Sequence, residues 1–88
     1  MTFYTTTLSS GSLEILTADG AQMVSIEPNS GSSCTVLGSL PFKGLTPTAI
    51  VLDANQVLTI SSNTPTSPLN GITITHVSGT IDIIVGVA

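Results

Sequence analysis

Apolar and polar residues alternate with a period of two along nearly the whole chain, and β-branched residues dominate the apolar set. The pattern is plainest in Ile72-Thr73-Ile74-Thr75 and in the last strand-like run, Ile81-Asp82-Ile83-Ile84-Val85-Gly86-Val87. A period of two sends successive side chains to opposite faces of a pleated strand, and β-branched residues fit that surface. Ile72 and Ile74 therefore share one face against Thr73 and Thr75. Ile81, Ile83, Val85 and Val87 share another against Asp82, Ile84 and Gly86. No ten-residue stretch keeps a 3.6-residue stripe free of Gly, Pro and Ser/Thr runs, so very little helix is expected.

Turn chemistry cuts the chain at the spacing of an all-β sandwich or barrel, with candidate strands at 3–8, 13–17, 21–26, 34–37, 48–52, 56–60, 72–77 and 80–87. Ser9-Ser10-Gly11 ends the first. Asp19-Gly20 after the second is a hairpin signal, because both residues accept positive φ. Pro28-Asn29-Ser30-Gly31 closes the third as a turn. Asp53-Ala54-Asn55 reads as a compact hairpin loop and Ser78-Gly79 as a two-residue hairpin. Residues 38–47, with two Pro, two Gly, Phe42 and Lys43, read as a long connection that changes sheet. Residues 61–68, with Pro65 and Pro68, form a second long loop. The expected fold is all-β: about eight short antiparallel strands in a Greek-key or jelly-roll-like β-sandwich, a single domain over residues 1–88. An apolar last strand would be an aggregation hazard on an open edge, so it should lie centrally or under another subunit.

Charge is nearly absent. Lys43 is the only basic side chain, beside Glu14, Asp19, Glu27, Asp53 and Asp82, and charged residues make up 7% of the chain. An ordinary soluble domain carries about a quarter. A chain of 88 residues buries only about 60–65% of its unfolded surface, which makes a lone core marginal. One cysteine forms no internal disulfide, and one His with one Cys makes no zinc site, so self-association is the remaining staple. A net charge of −4 with no Arg argues against nucleic acid as a partner, since phosphates are neutralised by clustered Lys and Arg. No apolar run is long enough for a membrane helix, so no membrane partner is expected. Residues 1–10 lack the basic and apolar regions of a signal peptide, so synthesis in the cytoplasm is expected.

Candidate chemistry is sparse. A hydrolase triad would need His76 as its base, with Ser78 on the same presumptive face and Asp82 across the expected hairpin, but no nucleophile-elbow pattern surrounds them. The favoured reading is a strand-face histidine beside a turn. Cys34, in an apolar strand with no basic neighbour, reads as a buried inert thiol. The acids are scattered, without the close spacing of a calcium loop. No catalytic residue, cofactor or metal is expected, and the chain is read as no enzyme. Thr5, Thr6, Thr7, Thr73 and Thr75 would make flat hydroxyl arrays of the ice-binding kind only if they stood on adjacent strands. The simpler reading is that threonine makes a strand face polar without charge.

Candidate contact residues are easier to name. Phe42 and Lys43 pair an aromatic with the only cation in a stiffened loop, where packing of Phe42 over the end of the sandwich is the favoured reading and an exposed contact the alternative. Phe3 and Tyr4 lie in an uncharged N-terminal strand suited to adding onto a neighbour's sheet edge. Val85 marks the last strand, expected at or near a subunit contact.

Taken with the stretches Gln56-Val57-Leu58-Thr59-Ile60 and Ser78-Gly79-Thr80-Ile81-Asp82-Ile83-Ile84-Val85, the chain resembles the small virion structural proteins of tailed bacteriophages, above all capsid decoration or cement proteins. The resemblance is one of overall character. It implies a non-enzymatic protein on the capsid surface that assembles as a homotrimer where major capsid proteins meet and clamps them against internal pressure. A tail or fibre component, or a small lectin-like binding module, is the alternative.

Overall fold

The structure, a computed structural model, describes residues 1–39, 42–62 and 67–88. Parts of both expected long loops, including Pro65, therefore lie outside the described residues. Eight strands succeed one another in chain order: β1 (Thr2–Leu8), β2 (Ser12–Ile15), β3 (Ala21–Pro28), β4 (Ser33–Gly38), β5 (Ile50–Asp53), β6 (Leu58–Ser61), β7 (Ile72–Ser78) and β8 (Ile81–Val87). Among the described residues there is no α-helix, and a single 3-10 turn spans Thr17–Asp19.

The strands form two four-stranded antiparallel sheets packed as a sandwich, one ordered β1-β8-β3-β6 and the other β2-β7-β4-β5. This is the jelly-roll order, in which the first and last strands pair and the chain winds between sheets. β8 lies between β1 and β3, so the apolar C-terminal strand is central, as its lack of charge requires.

The links behave oppositely to the expectation drawn from their lengths. The short turns at Asp19-Gly20, Asp53-Ala54-Asn55 and Ser78-Gly79 each join strands of different sheets, so none closes a hairpin. The long connection over 39–49 joins β4 to β5, which pair side by side within one sheet. Short corners are held by polar contacts between links. The β3–β4 and β7–β8 corners are laced together: Asn29 N–H donates to Thr80 O at 3.0 Å, Asn29 Nδ2 to Thr80 Oγ1 at 3.0 Å, and Thr80 N–H to Ser32 Oγ at 2.9 Å. At the other end Asp19 Oδ2 accepts from Leu16 N–H at 2.8 Å, while Asn70 Oδ1 accepts from Thr17 N–H at 3.0 Å.

Alternation sorts the faces as the sequence predicts. Ile72, Ile74, Ile81 and Ile83 are buried, and Thr75, Asp82 and Ile84 are exposed. The core between the sheets is built from Ile15, Val24, Ile26, Cys34, Val36, Leu52 and those four isoleucines, with Leu8, Leu13, Leu58, Ile60 and Val85 packed around it. Nearly all are Ile, Val or Leu, so burial of aliphatic area is what holds the two sheets together.

Two bulges adjust this pattern. Ala21 pairs with Val87 but Met23 with Gly86, which leaves Gln22 as the extra residue on β3. Ser33 pairs with Ser78 but Cys34 with His76, which leaves Val77 extra on β7. An inserted residue turns the rest of its strand to the opposite face, so the β7 bulge sets Ser78 and His76 on different sides of the sheet.

Candidate functional site

The sequence-level triad does not assemble. The bulge at Val77 places His76 with Cys34 on the inner face and Ser78 with Ser33 on the outer face, where the two serine hydroxyls lie 3.0 Å apart. His76 is half-buried, its Nε2 2.8 Å from Gly79 O, and its backbone N–H donates to Gly11 O. Asp82 stands on the outer face of the other sheet and accepts from Thr7 Oγ1 at 3.2 Å. Cys34 is fully buried, and burial pushes its thiol above the ordinary range because the thiolate loses its water. Among the described residues no three of His, Cys, Asp or Glu gather in a metal-holding group. The threonines are divided as well: Thr5 and Thr7 lie on the outer face of one sheet and Thr73 and Thr75 on that of the other.

Exposed apolar surface is what the fold does assemble. Most of it falls in two regions, with Leu16, Val57 and Val77 exposed elsewhere.

The first is β1, an edge strand that pairs only with β8 among the described residues. Six of its seven residues are exposed, and only Leu8 is half-buried. Register with β8 puts Tyr4, Thr6 and Leu8 on the inner side, opposite Val85, Ile83 and Ile81, and puts Phe3, Thr5 and Thr7 on the outer side. Tyr4 is nonetheless 59% exposed, as is Phe3. β2, the edge strand of the other sheet that follows β1 in the chain, has four residues against seven and spans little more than half the length of β1. Phe3 and Met1 lie over Gly86. A Cβ there would sit 2.6 Å from Met1 Sδ and 3.4 Å from Phe3 Cε1, so the missing side chain on the central strand is what seats them. A shallow groove runs over Thr5–Thr7 and Asp82–Ile84.

The outer face beside β1 continues in rows across the sheet. Phe3, Gly86, Met23 and Ser61 form one; Thr5, Ile84, Ser25 and Thr59 form the next, with Thr59 Oγ1 donating to Ser25 Oγ at 3.3 Å. Thr7, Asp82 and Glu27 form a third, which places two acids directly opposite each other.

The second region is the β4–β5 connection and the strand after it. Phe42 and Leu45 are each 66% exposed and close a small bridged turn, with Leu45 N–H donating to Phe42 O at 2.8 Å. Phe42 thus stands exposed and is not a lid on the sandwich. Lys43 at the tip has φ +48°, and its Nζ lies 5.5 Å from the Phe42 ring centroid, within cation–π range. Leu37, Ile50 and Val51 add exposed aliphatic surface on β4 and β5.

Phe3, Tyr4, Phe42 and Lys43 therefore stand at the surface, in two groups. Val85 does not belong with them: it is turned inward by its register with Tyr4 and Val24 and packs half-buried against the core. Sequence reasoning missed Met1, Leu45, Ile50 and Val51. The signal for Val51 was present in the unbroken run Ile50-Val51-Leu52, since three consecutive apolar residues on a strand must send at least one outward; Ile50 shares the inner face of Leu52 and is exposed all the same. No family model, curated protein or solved structure matches this chain.

Proposed function

We propose that the protein is a non-enzymatic structural component of a virion, of the capsid decoration type, which associates with copies of itself and with a major capsid protein lattice. The observation that carries this reading is the combination of an uncharged, exposed seven-residue edge strand with a second apolar region around Phe42, on a domain with 7% charged residues. Specific interfaces are depleted of charge at their centre and enriched in aromatic residues and Met, which is the composition of the β1 region with Met1, Phe3 and Tyr4; the second region is aliphatic around Phe42 and carries Lys43 at its tip. Exposed edges on soluble monomers are ordinarily blunted with Lys, Pro or bulges, and β1 has none of these. On a dense lattice, low net charge also limits repulsion between adjacent copies. The jelly-roll order is shared with viral capsid domains, an analogy of fold that agrees with this reading.

The test is where the protein resides in the lysate in which it is naturally made. An antibody against the chain should follow it in a sucrose gradient to particles of megadalton mass and remain with them through a second gradient. Recovery only at the top of the gradient, as free protein, would refute the reading. A glycan-binding module is the second reading, favoured by the exposed rings of Tyr4 and Phe42. It would show as saccharide-dependent shifts of those ring resonances.

A further inference from the structure

We infer that β1 is a self-pairing edge: two copies join antiparallel through Thr2–Leu8 across a two-fold axis at Thr5, making one continuous eight-stranded sheet. This rests on the structural reading above and specifies the contact that serves self-association.

Edge length selects the strand. β1 has seven residues, whereas the other three edges, β2, β5 and β6, have four each. A head-to-tail ring, the arrangement implied by a trimer, would set β1 against one of those shorter edges and leave three of its residues unpaired. β1 against itself leaves none. Charge points the same way for two of the edges: β2 carries Glu14 and β5 carries Asp53, while β1, like the shorter β6, has no charged side chain to oppose its own image.

Register is set by the faces. Centring on Thr5 pairs Thr5 with Thr5, Tyr4 with Thr6, Phe3 with Thr7 and Thr2 with Leu8. Inner residues meet inner and outer meet outer, and all seven positions are used. A slip of one residue would set each face against its opposite. The centred register also separates the acids. The row Glu27-Asp82-Thr7 of one copy runs on into Phe3-Gly86-Met23 of the other, which leaves the two Asp82 residues about 20 Å apart, roughly two Debye lengths at 0.1 M salt. Area is sufficient for a modest contact. The four rings of Phe3 and Tyr4, each 59% exposed, offer about 500 Å². Main chain and threonine side chains bring the total toward the roughly 1,000 Å² of a specific interface.

The test is light scattering after size-exclusion chromatography of the intact chain over a concentration series, with a set of single variants. The wild type should approach twice its chain mass as concentration rises. Thr5→Lys sets two ammonium groups face to face on the axis and should give a folded monomer by circular dichroism. Thr59→Lys, equally exposed on β6, should leave the dimer in place. Thr5→Cys should form an intermolecular disulfide under mild oxidation, since directly opposed residues lie about 4.5–5.5 Å apart, while Thr7→Cys, with its counterpart about 14 Å away, should not. A monomer at every concentration, a trimer, a Thr5→Lys dimer, or faster cross-linking through Thr7→Cys would each overturn the inference. A trimer found on particles would overturn only the two-fold contact, and a dimer absent from particles only the virion role.

Discussion

Gly79 is the residue whose replacement tests the corner packing most directly. Its φ is +68°, and a Cβ there would collide with Ser32 Oγ while sitting 2.8 Å from Ser32 Cβ and 3.0 Å from Ser32 Cα. Ser32 has little freedom to retreat. It is buried, its N–H donates to Asn29 O at 2.9 Å, and its Oγ accepts from Thr80 N–H at 2.9 Å. Gly79→Ala therefore carries two costs. Holding a residue with a Cβ in the left-handed region costs about 1–2 kcal/mol. Displacing the Ser32 hydroxyl and leaving the part-buried Thr80 N–H unsatisfied adds about 1–3 kcal/mol. Gly31 separates the two: its φ is +74°, but a Cβ there meets nothing within 4 Å, so Gly31→Ala carries only the conformational cost. Urea denaturation followed by circular dichroism reads both variants on one scale. Gly79→Ala should lose about 2–5 kcal/mol and Gly31→Ala about 1–2 kcal/mol. Equal losses would refute the reasoning, because they would mean that the two corners do not press on each other through Ser32.

Other substitutions probe the core, the thiol and the acids. Ile74→Ala, at a fully buried position of β7, should destabilise by about 2–5 kcal/mol in the same urea assay, the range for buried aliphatic truncations. Burial raises the Cys34 thiol, so above the ordinary value of 9.0 the unfolded chain sheds that proton first. Stability from this group is therefore complete below 9.0 and declines as pH rises from there through the folded value, a decline that Cys34→Ala should reduce in urea midpoints measured across the alkaline range. Asp82→Asn removes one member of the opposed Glu27–Asp82 pair while keeping an acceptor for Thr7. It should stabilise by a few tenths of a kcal/mol at low salt, with the gain shrinking at 0.5 M salt as thermal melts in both buffers would show.

Strand positions and facing were legible because they depend on local chemistry. The Thr/Ile alternation at 72–75 and the apolar set at 81, 83, 85 and 87 come from the pleat alone, and the structure keeps both. The faces of His76 and Ser78 were not legible. The extra residue at Val77 reveals itself only against β4, whose register is set by the whole sheet. Exposure of Tyr4 was likewise hidden: register with β8 turns it inward, yet it sits on an edge strand and stays 59% exposed.

Strand neighbours were misread for a geometric reason. Two strands in one sheet lie about 4.8 Å apart and two packed sheets about 10 Å apart. The link from Ser78 to Ile81 has three Cα steps of about 3.8 Å, enough to reach either neighbour. Positive φ at Gly79 marks that the chain turns and leaves open which strand it meets. The choice is made at a distance, by β1 and β3 flanking β8 on both sides and so excluding β7 from its sheet.

The same topology explains where the missing charge has its effect. Pairing the first strand with the last puts β8 at the centre and consigns β1 to the edge, with most of its side chains outside the core. Charge on β1 would therefore cost the fold little, since Thr5 and Thr7 are exposed on the outer face of the sheet. Yet the first charged side chain in the sequence is Glu14, beyond the end of β1. A surface strand that folding leaves free to carry charge, and that carries none, keeps its main-chain edge available for pairing. Thr5→Lys isolates that property, because it changes the edge at a position where the core has nothing to lose.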